Sequence, residues 1–377
     1  MPEAYIIDAV RTPRGIGKVG KGSLAHLHPQ HLGRTVLEAL AERNNLDTST
    51  VDDVIWGTSS QVAKQGADLG RMSALDAGYD IRSSGVTLDR FCGSGITTVN
   101  MATATIMSGM ENCVVAGGTE MMSYTASIPS PDGPPMMDRG NLHLREMHPQ
   151  TQQGVCADAI AALEGITRED VDALALESQK RAAVAMEENR FEKSVVPVHN
   201  LDGSLALDRE EYPRPQTTAE ALAGLNPSFE KIGEIEIDDK GTTYKSLITQ
   251  KYKDLEFQHI HHAGNSSGVV DGSAALLLAS PEYAKKHGLK PRAKIIAYAN
   301  AGDCPTLMLN APVPAAQKVL EKAGLTKDDI DLWEINEAFA VVAERTIRRL
   351  GLDREKVNVN GGAIALGHPI GATGSIL

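Results

Sequence analysis

Val86-Thr87-Leu88-Asp89-Arg90-Phe91-Cys92-Gly93-Ser94-Gly95-Ile96 reads as a short strand, an abrupt glycine-flanked turn and the entry to a helix, which continues from Thr97 to Met107 without a charged residue. One strand feeding one helix is the unit of an α/β fold, and the neighbouring sequence repeats it. Ala4 to Val10 is an apolar strand ending in Arg11-Thr12-Pro13-Arg14-Gly15, and Gln30 to Arg43 carries Leu32, Val36, Leu37 and Leu40 at helical spacing. Val51 to Gly57 is a further strand, Gly66 to Gly78 a small-residue helix, and Cys113 to Gly118 (CVVAGG) a buried strand. Strands alternating with helices predict parallel α/β sheets.

From about residue 121 to residue 257 the texture changes to Pro-rich loops at Ser127 to Pro135, a charged helix from Arg168 to Arg190 and a charged stretch from Glu230 to Asp254, which together read as an insertion. Alternation resumes with strands at Ala274 to Ala279, Ala293 to Tyr298, Ile330 to Ile335 and Val357 to Asn360, and a helix from Pro314 to Gly324. The flanks resemble each other: helix VLEALAERNNL followed by VDDVIW is echoed by VLEKAGL followed by DDIDLW, the two Trp residues standing 333 − 56 = 277 positions apart. This predicts a duplicated α/β fold, with an N-terminal domain over 1–258 that carries the insertion and a C-terminal domain over 259–377.

With 377 residues, 42% apolar and 23% charged, the chain is long enough for two or three units, and no apolar run approaches the roughly 18 residues of a membrane span. A net charge of −12 argues against nucleic acid and anionic membrane surfaces as partners. The first residues show neither a secretory apolar region nor transit-peptide character, which predicts a cytoplasmic protein. Cys92, Cys113, Cys156 and Cys304 are scattered without a CxxC pair, so all four are expected as reduced thiols.

One of them stands where chemistry is expected. A thiol at a helix N-terminus meets unpaired amides and the positive end of the dipole, which predicts a lowered pKa for Cys92, while Gly93 and Gly95 let a carbonyl approach the backbone. The competing reading is a buried structural thiol, the role given to Cys113. His368, in NVNGGAIALGHPIGATG, is the lone titratable group from Val357 to Leu377, and an imidazole beside a thiol can take its proton and form an ion pair. Asn336 either donates to an oxyanion, directly or through water, or caps a helix beginning at Glu337. His262 to Ser273 (HAGNSSGVVDGS) is small and polar, suited to lie against an extended ligand. Neither His26, His28 and His31 nor His259, His261 and His262 has carboxylate or Cys company at ligand spacing, so no metal is expected.

Read in order, these segments resemble the thiolase family, the acyl-CoA acetyltransferases and 3-ketoacyl-CoA thiolases, over essentially the whole chain. DRFCGSG is similar to the family's nucleophile loop, NEAFA and GGAIALGHPIGATG to its later signatures, and AGNSSGVVDG to its pantetheine-contacting segment; GGTEMMS and TTAEALAGLNPSF are further landmarks. The resemblance implies that Cys92 takes the acyl group as a thioester, His368 activates it, Asn336 helps to bind the thioester oxygen through water, and Ser267 with Gly268 meets the pantetheine arm. It implies a duplicated five-layer αβαβα fold with the helix after Cys92 buried between sheets and the insertion as a lid. Coenzyme A and acyl-CoA are the implied substrates, with no tightly bound cofactor and no metal, in a homodimer or homotetramer. The implied activity is reversible thiolysis of 3-ketoacyl-CoA; a non-catalytic CoA-binding module is the competing reading.

Two departures qualify the match. The family's CxGGG segment, which supplies a second acid/base Cys, does not occur before Leu377, and the expectation is a longer chain whose further part adds sheet structure. Where many thiolases carry HMGxTAE, this chain has Gln153-Gly154-Val155-Cys156-Ala157-Asp158, and His262 replaces the usual Thr, which leans towards degradative enzymes for branched or polycyclic acids.

Overall fold

The computed structural model describes residues 2–128 and 136–377, so most of the Pro-rich loop read at Ser127 to Pro135 lies outside the described residues. In chain order the strands are β1 Tyr5–Arg11, β2 Gly15–Ile16, β3 Asp53–Gly57, β4 Ser84–Leu88, β5 Cys113–Met121, β6 Val198–His199, β7 Leu205–Leu207, β8 Val270–Ala279 and β9 Ala293–Lys294. One sheet runs β4-β3-β5-β8-β1-β9, with β2 also on β8; β6 and β7 form a separate hairpin. β3 is parallel to β4 and β5, whereas β8 is antiparallel to both β5 and β1. The sheet is therefore mixed, not parallel throughout as the alternation predicts. The cause lies in the insertion: it leaves after Met121 and returns opposite that residue, Met121 facing Asp271, so the chain re-enters the sheet from the same end without a crossover. The division at 258/259 runs ahead of β8, which sits inside this sheet between β5 and β1.

β5 and β8 are buried along their whole length, as strands covered on both faces must be. On one face lie α1 (Pro29–Asn44) and α2 (Leu69–Asp76), whose Val36, Leu37, Leu40 and Leu69 pack with Val54, Trp56, Val115 and Leu277. α1 starts where Pro29 presets the first turn and the His28 ring accepts from the Gln30 amide; it stops at Asn45 in the left-handed region. On the other face α3 (Ser94–Ser108) lays Ala102 and Ile106 on Ile55, Val114, Ala116 and Leu278. Its far side stays uncovered among the described residues, with Ile96 53% and Met101 43% exposed.

The later strands are shorter than the sequence predicts. Ala293 to Tyr298 contributes only β9, and the segments at Ile330 to Ile335 and Val357 to Asn360 meet at a single parallel bridge, Trp333 to Val357. A strand needs a neighbour for each backbone group, and beyond this bridge a side chain replaces one: Asn358 Oδ1 accepts from Ile335 N at 2.8 Å while its Nδ2 donates to Ile335 O at 2.8 Å. The insertion forms helices, including Gln153–Glu164 and Arg168–Glu187, the second opened by a Thr167/Asp170 capping box. They build a separate core with Phe339, Val341 and Val342 at the start of helix Ala340–Leu350, which draws the insertion onto the segment holding Asn336.

Candidate active site

Cys92 lies in a tight turn, Phe91–Gly93, just ahead of α3. The turn is strained and pinned: Phe91 takes a φ of 49°, its amide donates to Asp89 Oδ1 at 2.7 Å, and Ser94 Oγ accepts from Arg90 N at 2.8 Å while donating to Phe91 O at 2.7 Å. No side chain caps the helix that follows. The thiol is nevertheless not lowered. Burial pushes it up to about 11, and the Glu120 and Asp89 carboxylates add to the rise. This corrects the expectation of a helix-stabilised thiolate. A helix terminus is worth about 0.3–1 kcal/mol, less than one pKa unit, whereas desolvation moves a buried group by several.

His368 is buried and reached from a different part of the chain. Its amide donates to Gly268 O at 2.9 Å. Thr373 Oγ1 donates to Pro369 O at 3.1 Å and lies 2.6 Å from His368 Nδ1, so the hydroxyl accepts from Nδ1–H and leaves the lone pair on Nε2. Asn336 Nδ2 approaches that nitrogen at 3.3 Å. Burial, with Arg14 nearby, pushes the imidazole down to about 4. At neutral pH both thiol and imidazole are uncharged, so the ion pair expected from the sequence is not the resting state. Among the described residues no hydrogen bond joins Cys92 to His368.

Glycines bring the two turns together. A Cβ on Gly95 would stand 2.7 Å from Ser375 N, one on Gly374 2.1 Å from Ile96 N, and one on Gly57 2.7 Å from Gly371 O. Ser375 Oγ also donates to Gly95 O at 2.9 Å. The segment after His368 is thus seated directly on the first turn of α3.

Asn336 does not cap a helix, because the next one begins at Ala340 with Phe339 as its cap residue. Its side chain turns to His368 instead, and its Oδ1 is buried with no partner among the described residues. Ser267 is half-buried; its amide donates to Ala338 O at 3.0 Å, and its hydroxyl meets no partner among the described residues. Gly268 is committed as a joint: its amide donates to Ala363 O at 3.0 Å, its carbonyl accepts from His368, and the Tyr212 ring fills the space where a side chain would stand. The histidines considered as metal ligands serve other partners. His259 and His261 both bond through Nδ1 to Asp158 at 2.8 Å, and His262 bonds Asp172 at 2.9 Å. No metal-binding group of His, Cys, Asp and Glu occurs among the described residues.

Three buried carboxylates hold the site and were not singled out from the sequence. Glu120 accepts from Gly371 N, Ser59 N, Ser59 Oγ and Gln65 Nε2, each at 2.8 Å. Glu337 accepts from Ser178 Oγ at 2.7 Å, Asn358 Nδ2 at 2.9 Å and Ile364 N at 3.1 Å, and burial raises its pKa. Glu210 pairs with Arg11 and Arg14, and Arg14 Nη1 reaches Gly367 O at 3.4 Å, beside His368. The available signal was a charged residue inside an apolar motif, as in GGTEMMS and NEAFA. Their partners lie too far along the chain to be read from it.

Comparisons with known proteins place the chain in a family. The family model described as thiolase, N-terminal domain, matches residues 4–240, and that described as thiolase, C-terminal domain, matches residues 289–377. A beta-ketoadipyl-CoA thiolase of Pseudomonas knackmussii is 40% identical over 100% of this chain and 90% of its own length. An acetyl-CoA acetyltransferase of Escherichia coli is 39% identical over 100% and 90%, and a 3-ketoacyl-CoA thiolase of Bacillus subtilis 37% identical over 100% and 91%. The crystal structure of the Bacillus anthracis acetyl-CoA acetyltransferase superposes with a TM-score of 0.82 at 35% identity, covering 100% of this chain and 90% of that one. With family matches over residues 4–240 and 289–377 and a shared fold at this identity, the chain belongs to the thiolase family.

Proposed function

We propose that this chain is an acyl-CoA C-acyltransferase that runs reversible, degradative thiolysis of a 3-ketoacyl-CoA through an acyl-Cys92 thioester. The observation that carries the reading is the seating of the His368 turn on the Cys92 turn, with the Nε2 lone pair turned towards Asn336. Cys92 Sγ bonds to the 3-keto carbon as His368 takes the thiol proton. The C2–C3 bond breaks, its electron pair leaves with the acetyl-CoA half, and C2 takes up the proton that His368 accepted from the thiol. Coenzyme A then displaces Cys92, the acyl group leaves as a new thioester and the thiol is restored. Proton transfer accompanies carbon–sulfur bonding because both groups start neutral. A water held by the unpartnered Asn336 Oδ1 would direct its other hydrogen at the thioester oxygen. The free Ser267 hydroxyl is the proposed contact for the pantetheine arm, with Gly268 shaping the backbone beneath it.

Coenzyme A and its thioesters act here as substrates, and the route uses no bound cofactor or metal. A homodimer or homotetramer is the proposed assembly, supported by the free outer edge of β4. Four unpaired thiols favour a reducing compartment, the cytoplasm. Intact-mass analysis after mixing with a 3-ketoacyl-CoA in the absence of coenzyme A should show an acyl adduct on Cys92. The adduct should disappear on adding coenzyme A and be absent from Cys92→Ala. An adduct unaffected by that substitution would sink the assignment, and binding without any adduct would favour the non-catalytic reading.

A further inference from the structure

One segment of the insertion, Glu210-Glu211-Tyr212, holds the backbone of His368 from two sides. On the first side Glu210 Oε2 accepts from the Arg14 amide at 2.9 Å and from Arg14 Nε at 3.1 Å, Glu210 Oε1 accepts from Arg14 Nη2 at 2.9 Å, and the Glu211 amide donates to Arg14 O at 3.1 Å. Arg14 Nη1 in turn donates to Gly367 O at 3.4 Å. A Cβ on Gly272 would stand 3.4 Å from Arg14 Cγ and 3.2 Å from Pro369 Cγ, so the Arg14 stem and the Pro369 ring share the space over that glycine. On the second side the Tyr212 ring packs on Gly268, whose carbonyl accepts from the His368 amide at 2.9 Å.

Charge sets the Arg14 contact apart. Arg11, Arg14 and Glu210 are all buried, and both guanidiniums share the one carboxylate. Burial works against a charged Glu210, but Arg11 and Arg14 outweigh it and hold the carboxyl down to about 2. The cluster therefore keeps one uncompensated positive charge, which water does not screen, and Arg14 presents it beside His368. Glu334 also meets Arg14, yet burial and Glu337 push it up to about 7, so at neutral pH it offsets Arg14 only in part. The nearby acids have other partners: Glu211 takes Ile16 N and Ser23, Asp271 takes Ser123, and Glu120 takes Gly371 N. The Cys92 thiol, on the turn under the His368 segment, completes the titratable groups around the ring.

We propose that Arg14 is a positioning residue for His368: its guanidinium, fixed by Glu210, holds the Gly367 carbonyl and opposes a second positive charge on the ring, so that the proton taken from Cys92 is handed on instead of retained. This rests on the thiolysis reading. The Sγ proton moves to Nε2 as the carbon–sulfur bond forms, and the same proton leaves Nε2 for C2 as the C2–C3 bond breaks. The imidazole ends neutral, and nothing is oxidised or reduced. A ring beside Arg14 is a weaker base when neutral and a stronger acid when protonated, so the first transfer is slowed and the second favoured. Removing the charge should therefore change the two steps in opposite directions.

Arg14→Met leaves Glu210 its partner Arg11 and the backbone amide at position 14, so the fold should survive by circular dichroism. In the full chain at pH 7.5, iodoacetamide should alkylate Cys92 of this variant several-fold faster than in the wild type. Single-turnover cleavage of a 3-ketoacyl-CoA should instead be slower by about tenfold, the worth of one pKa unit of ring acidity. Arg14→Gln, which can still donate to Glu210, repeats the comparison without charge, and Arg14→Lys, which keeps the charge, should bring both rates back towards the wild type. In a His368→Gln background Arg14→Met should no longer speed alkylation. Both rates falling together or both unchanged in Arg14→Met and Arg14→Gln would overturn the proposal, as would a gain in alkylation that persists without His368. A wild type that forms no acyl adduct would defeat the thiolysis reading by itself, and the alkylation rates would still decide whether Arg14 acts on His368.

Discussion

His368, pushed down to about 4, stays neutral in the fold at pH values where a free imidazole already carries a proton. Between pH 6.5 and 4 the unfolded chain binds the extra proton, so stability falls with pH across that window and is fully present above it. The loss should approach roughly 3 kcal/mol. Urea midpoints at pH 7.5 and pH 5 should therefore differ more in the wild type than in His368→Gln, and equal differences would contradict a depressed imidazole. For catalysis, His368→Ala should slow acyl transfer to Cys92 by about 10²–10⁴-fold, the usual worth of a general base, as measured by single-turnover acylation. Alkylation of Cys92 in the resting protein should climb with pH towards 11 and show no plateau near 7. Cys92, His368 and Asn336 could be singled out as candidates because each stands in a local motif, and the structure seats the His368 turn on the Cys92 turn with Asn336 beside His368. Their protonation states were not legible, since burial comes from elements hundreds of residues away and exceeds what the local helix end supplies.

Glu120 connects the end of β5 to the loop at Gly371 and to Ser59 after β3, so Glu120→Ala should leave several buried donors unpaired. The expected cost is about 3 kcal/mol or more in chemical denaturation, together with lower activity from a loosened His368 turn. Gly374→Ala should act on the same junction by steric means, since its added carbon would fall 2.1 Å from Ile96 N, and backbone cannot give way as a side-chain tip does. Its thermal midpoint should drop, and kcat should fall more than KM rises. Helices α1 and α3 and strands β1, β3, β5 and β8 were legible from apolar spacing because each buries a continuous face. The stretch at Ile330 to Ile335 has the same composition, yet strand pairing is a property of two segments, and Asn358 occupies the place of a second rung. The antiparallel entry of β8 was hidden because no local pattern reports from which end of a sheet a long insertion returns.

With a net charge of −12, copies of this chain repel one another at long range, so any assembly must come from short-range contact along a free edge. Among the described residues the sheet ends at β4 on one side and at the two-residue β9 on the other; β4 is the longer edge and the proposed contact, and its Val86 is 39% exposed. Val86→Lys should shift sedimentation velocity towards monomer; an unchanged distribution would place the contact elsewhere. The insertion of β8 between β5 and β1 also governs how the protein is made. Met121 leaves the ribosome 270 − 121 = 149 residues before Val270. At about 5–20 residues per second, roughly 7–30 s pass before the middle strand exists. Throughout that interval β1 and β5, each carrying a run of apolar residues and flanking an unfilled slot, wait in a crowded cell without their shared partner. A nascent chain of this topology is thus a natural client for holding chaperones, and slowing translation across the insertion should lengthen its exposure to aggregation without changing a single native contact.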